Sequence, residues 1–565
     1  MPAVSTSVRS LVFHLAGLWI LLLVAAVWVV DVDRAVFDPD EGALLMQVEV
    51  LGDEGSWFTP YWLNDLDPDG DGLAIQYAQF RDGEVAPSPV RPALVVITAA
   101  AWKLGGVTAS TLLGLTGVVM AIGVAAAIAR QLDPRAMLPT IWLLGATSPL
   151  AMHASVLRGH GPATGLAALA VWGVIVETGR GQRPRVLVVA GISLATFLAA
   201  GLRREVVLLA VALATVMLYR AVRDRSASPA VLGTAPALAA VAAFLADRLA
   251  VQQIFGHQRS LPATGSDDGY LVGRLDSLSS LVQPGFEDGD TLALALMLTA
   301  AVVTIAAAVR FLLVGDAREL LVGTSLAATL LAIRLVAAPP DMVSGIIPAF
   351  PIGVAAVILA APSIGRIPLL KMLSGWFATF VALVVLTQYS IGGAWEWGSR
   401  FLAVGLVLVL PVAAVGLLRT WDLLPAGRLR AGLTAATLAL AVLPLAMGLL
   451  AHRDARINNA ANVATAHELA VATGSNLVVS TNPAVPRTDT TQIEGPIRWL
   501  WAWPDELAPL LSRLEDAGFD EVAFASREPT IAVEYLDPLG WEIGELRAQR
   551  ANPGTQYLGV LRRAG

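Results

Sequence analysis

The stretch Phe37-Asp38-Pro39-Asp40-Glu41-Gly42 sets three carboxylates within four positions, shortly after a long apolar run. Carboxylates are costly to hold against lipid, so such a cluster faces a water-filled cavity or a substrate. A positioned Asp is a general base suited to taking the proton of a hydroxyl. The complementary residues are arginines: Arg91, Arg158 beside His160, the run Arg203-Arg204-Glu205, Arg334, and Arg400. Arg400 follows the loop Gly392-Gly393-Ala394-Trp395-Glu396-Trp397-Gly398-Ser399, whose tryptophans suit either sugar stacking or anchoring at a membrane interface. Guanidinium groups hold phosphate through paired, charge-assisted hydrogen bonds. One base with several cations fits attack by a hydroxyl with phosphate leaving. A phosphate needs little protonation, so the two-carboxylate scheme of glycoside hydrolysis is not required.

The residues sort accordingly. Asp40 and Glu41 are the catalytic pair, with Asp40 the base; Arg91, Arg400, Arg158 and Arg204 take a phosphate; Asp38, Trp397 and His160 line the substrate. Asp67, Asp69 and Asp71 before Gly72 match the first positions of a calcium loop, although Ala78 stands where the closing Glu belongs. They are the metal-ligand candidates for a divalent cation (calcium, magnesium or manganese), and a solvated acidic turn is the competing reading. His467-Glu468 lacks a second His for a metal. The cluster Trp499, Trp501 and Trp503 reads as packing, so the C-terminal region is assigned no catalysis. There is no P-loop and no Cys/His zinc pattern, and nothing points to nucleotide or nucleic acid.

The elements that must carry these residues are membrane helices. Of 565 residues 56% are hydrophobic and only 15% charged, and the apolar residues come in runs of about 20. Cysteine is absent, which excludes disulfides and thiolate metal sites. The net charge of -7 is uneven: residues 31–90 hold 14 acidic and 2 basic side chains, and residues 452–565 hold 15 and 10. Both acidic regions belong outside and the basic short loops inside. Pro92 to Leu104 is apolar but short. If it crossed the membrane every later basic loop would be inverted, so it is expected to lie along the interface.

The expected spans are 11–30, 108–129, 136–153, 161–178, 185–202, 204–221, 229–250, 289–312, 318–338, 342–361, 369–389, 401–418 and 430–450. Two domains follow: a transmembrane domain over 1–451, with residues 31–107 as its first external loop, and an extracytoplasmic α/β domain over 452–565. In the first loop Gly42 to Leu51 reads as helix, with Asp40 and Glu41 at its N-terminus. A second external loop, 251–288, carries His257, Arg259, Asp267, Asp268 and Tyr270, and its Gly and Asp content suits a closing flap. In the last domain the expected elements are a helix 455–473, strand 476–480, helix 505–517, strand 521–525 and strand 556–561.

These motifs resemble the GT-C superfamily of membrane glycosyltransferases that use polyprenyl-phosphate sugars, in the branch of the lipid A aminoarabinose transferase and the protein O-mannosyltransferases. Asp40-Glu41 is similar to that family's Asp-Glu pair at the first juxtamembrane helix, Arg91-Pro92 to the start of its second, and Trp397-Gly398-Ser399-Arg400-Phe401 to a Trp-Gly-x-Arg-aromatic stretch. The sequence departs from the family in lacking an acidic residue in Val156-Leu157-Arg158-Gly159-His160. The Trp-Trp-Asp-Tyr-Gly signature of oligosaccharyltransferases is absent as well.

The resemblance implies a polytopic α-helical GT-C-like fold with about 13 transmembrane helices and interfacial helices in the first loop. It implies an inverting transferase that moves a sugar from a polyprenyl-phosphate donor to a glycan, lipid or protein hydroxyl at the outer face of the cytoplasmic membrane. Two other readings stay open: a lipid-linked glycan transporter, and a non-catalytic scaffold of envelope assembly.

Overall fold

The computed structural model describes residues 2–30, 36–75, 78–256, 270–283, 290–338, 341–387, 397–482, 484–527, 530, 535–536, 539–550 and 555–564. His257, Arg259, Asp267 and Asp268 of the second loop, and Gly392 to Glu396, lie outside them. The chain forms two compact units. One comprises Met1–Val27, Thr111–Arg248 and Thr264–Ala451; the other comprises Trp28–Ser110, Leu249–Ala263 and His452–Gly565. The first external loop thus groups with the C-terminal residues, whereas a boundary at 451 had placed it with the helices.

The helices of the first half are α1 (Pro2–Val30), α2 (Pro39–Glu49), α3 (Pro92–Leu132), α4 (Pro149–Met152), α5 (His160–Gly179), α6 (Val186–Leu202), α7 (Glu205–Arg223) and α8 (Ala227–Phe255). They are followed by α9 (Tyr270–Ser279), α10 (Thr291–Val314), α11 (Ala317–Ala337), α12 (Ile346–Ala349), α13 (Pro351–Ile364), α14 (Pro368–Thr387), α15 (Leu406–Leu423), α16 (Arg428–Ala472) and α17 (Leu507–Asp516). Three short strands of the first loop are β1 (Thr59–Pro60), β2 (Gln79–Arg81) and β3 (Glu84–Ala86). The C-terminal strands are β4 (Leu477–Ser480), β5 (Arg498–Trp501), β6 (Glu521–Ser526), β7 (Trp541–Ile543), β8 (Arg547–Arg550) and β9 (Thr555–Arg563).

Ten helices among the described residues are long and apolar enough to cross a membrane, and α6 and α13 are apolar but shorter. Proline accounts for two differences from the expected spans. Between 136 and 153 no single helix forms; a π-helical turn starts at Pro139 and α4 starts at Pro149. The expected span 342–361 is split at Phe350, the residue before Pro351, whose backbone is not helical. Helix α3 breaks at Gly105 and Gly106, the latter with φ of 60°. That break divides Pro92 to Leu104 from the long span that follows, at the place where the charge parity separated them.

In the second unit β4 lies between β5 and β6 and runs parallel to both, and β9 runs antiparallel to β6. Alternate residues of β4 serve two cores, as strand pleating requires. Leu477 and Val479 join Phe524, Leu510 and Leu514 with Ala43 and Met46 of α2 and Tyr61, Leu63 and Leu73 of the loop. Val478 faces the other way, with Trp499, Trp501, Ala523 and Leu558 and with Ala466 and Ala470 of α16. The loop also covers the edge of β5: Leu73 bridges Leu500, and the Trp501 amide donates to the Gly72 carbonyl at 2.8 Å. Six strands were not foreseen: β1, β2 and β3 of the first loop, and β5, β7 and β8, all of them two to four residues long.

Because loop and sheet share one core, Leu500→Ala should destabilise the second unit by about 2–5 kcal/mol, the usual cost of a fully buried Leu. Tryptic cleavage inside residues 57–86 should accelerate with it, as read by peptide mass spectrometry.

Candidate active site

Helix α2 begins with stacked signals. Asp38 is its N-cap and accepts from the Glu41 amide at 2.9 Å, Pro39 takes the first helical position, and Glu41 stands at the third. Glu41 turns back to accept from the Phe37 amide at 2.5 Å, a variation on the capping box. Its other oxygen pairs with Arg456 of α16 at 3.0 Å, both side chains being almost wholly buried. On the same face of α16, His452 stacks on Phe37 with ring centroids 4.4 Å apart, and Asn459 donates to the Val36 and Phe37 carbonyls. Positions 452, 456 and 459 recur at the helical spacing, so one stripe of α16 grips residues 36–41.

The three acids therefore divide. Asp38 and Glu41 are fully buried and hold the helix start, whereas Asp40 keeps 43% of its side chain exposed. Asp40 pairs with Arg487 at 3.2 Å. Glu41, expected as one half of a catalytic pair, has its carboxylate bound by Phe37 and Arg456 inside the unit.

Close by, Asp489 accepts from His467 at 2.6 Å, from the Trp499 indole at 2.8 Å, and from the amide and hydroxyl of Thr491. Burial by itself pushes the Asp489 carboxyl up, but the bond and charge of His467, with Thr491 and Trp499, outweigh it and hold the carboxyl below its ordinary value. His467, which lacks a second His for a metal, is thus a partner of Asp489.

The aspartates of the calcium-like loop do not converge. Asp67 points inward and binds Arg513 at 2.5 Å, the Tyr61 hydroxyl at 2.9 Å and the Gly72 amide at 2.9 Å, while Asp69 and Asp71 are exposed. Burial first, then the charge and bond of Asp67, push the Tyr61 phenol far above its usual range, so it stays a donor. Among the described residues no group of three His, Cys, Asp or Glu side chains is placed to hold a metal ion.

In the first unit the residues of interest gather around His160. The His153 and His160 rings stack with centroids 4.4 Å apart, and Arg158, Arg203 and Arg400 stand near enough for their charges to act on His160. His160 is 1% exposed, and among the described residues neither ring nitrogen has a hydrogen-bond partner. Its helix is seated by close backbone packing: a Cβ on Gly161 would lie 2.2 Å from the Gly114 carbonyl oxygen.

Arg203, not Arg204, belongs to this cluster. Arg203 is extended and buried and pairs with Glu205, whereas Arg204 opens α7 with half its side chain exposed and meets Asp247 at 3.8 Å. Successive residues at a helix start point in different directions, and the doublet alone could not say which turned inward. Trp397 is buried against Gly448 as a packing residue and does not line an open surface. Before Arg400, Gly398 and Ser399 are both left-handed, at φ of 75° and 61°. Arg91, which falls in the second unit, is left-handed too, at φ of 52°. Non-glycine residues held there cost on the order of 1–3 kcal/mol each and cluster at functional sites.

Helices of this length and composition, with a small mixed α/β unit, define a polytopic α-helical membrane protein. Among solved structures the chain is similar to the crystal structure of ArnT from Cupriavidus metallidurans bound to undecaprenyl phosphate, at 14% identity and a TM-score of 0.42, over 98% of this chain and 97% of that one. No protein-family model matches the sequence, and no curated protein matches it.

Two outcomes follow from the division of the acids. Glu41→Ala should lower the stability of the purified protein by about 3–5 kcal/mol, since it leaves Arg456 buried without its carboxylate; Asp40→Asn should cost less than about 1 kcal/mol. Denaturant unfolding followed by tryptophan fluorescence measures both. The depressed Asp489 carboxyl contributes stability that is present above the unfolded-state value of 3.8 and lost as pH falls through the lower folded-state value. Asp489→Asn should therefore flatten the acid side of the stability profile below about pH 4.

Proposed function

We propose that this protein is an inverting membrane glycosyltransferase that moves a sugar from a polyprenyl-phosphate carrier to a hydroxyl acceptor on a glycan, lipid or protein. In this reading Asp40 takes the proton of the acceptor hydroxyl as its oxygen attacks the anomeric carbon. In the first unit, the cluster of Arg158, Arg203, Arg400 and His160 is the part that binds the donor phosphate. Arg91 is a further phosphate ligand. The site is at the outer face of the cytoplasmic membrane, on the distribution of acidic and basic loops.

The observation that carries the reading is the separation of the acids: of three carboxylates at one buried helix start, Asp40 alone is open to a substrate. A base must be reachable, and an acid that only held the helix would be buried like its neighbours. Buried His160, whose ring nitrogens have no hydrogen-bond partner among the described residues, stands among three guanidinium groups, which supports an anion as the other reactant. The left-handed backbone of Arg91 and Ser399, each at or beside one of the assigned cations, agrees with a site over-determined by its surroundings.

The test is transfer of radiolabelled sugar from a panel of polyprenyl-phosphate donors to envelope extracts. Asp40→Asn should lower transfer by about 100-fold or more, the usual worth of a positioned base, while the protein remains folded and retains donor. Near-normal turnover by Asp40→Asn removes the residue from this role. Arg203→Ala should raise the donor KM, whereas Arg204→Ala should leave it within about twofold of wild type.

A further inference from the structure

The C-terminal residues do more than pack beside α2. Arg487 sits in the short helical turn Pro486–Thr488, is almost wholly buried, and reaches Asp40 from 447 positions away in the chain. The backbones of the two segments also meet: a Cβ on Gly42 would lie 1.9 Å from the Arg487 carbonyl oxygen, so any larger residue at 42 would drive the turn away. Gly42 donates its own amide to the Asp38 carbonyl inside the first turn of α2, which leaves its Cα side as the surface of approach.

The turn that carries Arg487 is itself pinned. Asp489, two residues on, is bound by His467, Thr491 and Trp499. Gln492 donates to the Pro486 carbonyl at 2.5 Å and to the Asp489 carbonyl at 3.1 Å. The Thr488 hydroxyl closes on the Val485 carbonyl. A side chain with four rotatable bonds normally loses much entropy when it is fixed. Here its base is immobilised by the turn and its length is buried, so the guanidinium arrives at Asp40 with little left to order.

We infer that Arg487 is a positioning residue for Asp40, so that the residues from His452 onward, otherwise without an assigned part in transfer, set the orientation of the proposed base; this rests on the reading of Asp40 given above. Arg487 holds one carboxylate oxygen and selects the rotamer from which the carboxylate meets an acceptor. His467 and Asp489 act at one remove, by fixing the turn.

Carboxylate labelling tests this without reference to transfer. Full-length protein in detergent is treated with a carbodiimide and glycine ethyl ester at a single neutral pH, and amidation of Asp40 is measured by peptide mass spectrometry against exposed Asp505 in the same sample. Only the monodisperse fraction is analysed, so that loss of folding lowers yield and not the ratio. Arg487→Gln should raise the Asp40 to Asp505 ratio about fivefold, the scale of a lost ion pair. Arg487→Lys should restore most of the protection.

An Asp40 ratio unchanged by Arg487→Gln overturns the inference, whatever the transfer assay gives. In turnover, Arg487→Gln should lower kcat about tenfold with the donor KM unchanged, and the double variant with Asp40→Asn should be no slower than Asp40→Asn alone. A raised donor KM with unchanged kcat would also overturn it. Normal transfer by Asp40→Asn together with a raised labelling ratio would sink the functional reading and leave the contact standing.

Discussion

The arrangement of the second unit depends on one buried ion pair, Glu41 with Arg456. Two charges removed from water are costly, and their attraction compensates only where the geometry is good and the remaining hydrogen-bonding capacity is used. Both conditions are met on the carboxylate side, since Glu41 also accepts from the Phe37 amide. The pair, with His452 on Phe37 and Asn459 on two carbonyls, allows one rotational setting of α2 against α16. At about 100° per residue, a helix that turns position 41 inward turns position 40 away, and Asp40 is exposed for that reason.

The rest of the unit stabilises this setting. The α/β sheet is covered on one face by α16 and on the other by α2, α17 and the first loop, so each face of β4 has an apolar partner. Asp67 shows how the loop's charge is used inside. It binds Arg513 of α17 and holds the turn at Gly72, whose carbonyl then serves the edge strand β5. Acidic residues that look like an ion loop on paper are here divided between a buried pair and solvated turns.

The first unit poses the reverse problem, in which cations are taken out of water. Glycines at 114 and 161 let two helix backbones approach, which seats His160 at the start of α5 against His153. Left-handed Gly398 and Ser399 turn the chain into the short helical segment that opens with Arg400. Backbone strain of this kind persists where surrounding packing fixes it, and buried Trp397, against Gly448, supplies part of that packing.

The sequence by itself determined what is local or periodic. The apolar runs announced the helices, the Asp-Pro-x-Glu pattern announced the start of α2, and in the C-terminal region β4, β6 and β9 were legible as short runs of β-branched and apolar residues. The prolines at 139, 149 and 351 were visible too, but what they did to long apolar runs was not, because hydropathy counts composition and not backbone hydrogen bonds.

Tertiary structure decided which member of each charged group does what. Glu41 turned inward and Asp40 outward, Arg203 entered the cluster where Arg204 stayed outside, and Arg487 reached Asp40 across most of the chain. Adjacent residues of like type carry the same label in one dimension. Only packing against a distant segment fixes which one is desolvated and which meets water, because burial depends on what lies across the chain and not on residue type.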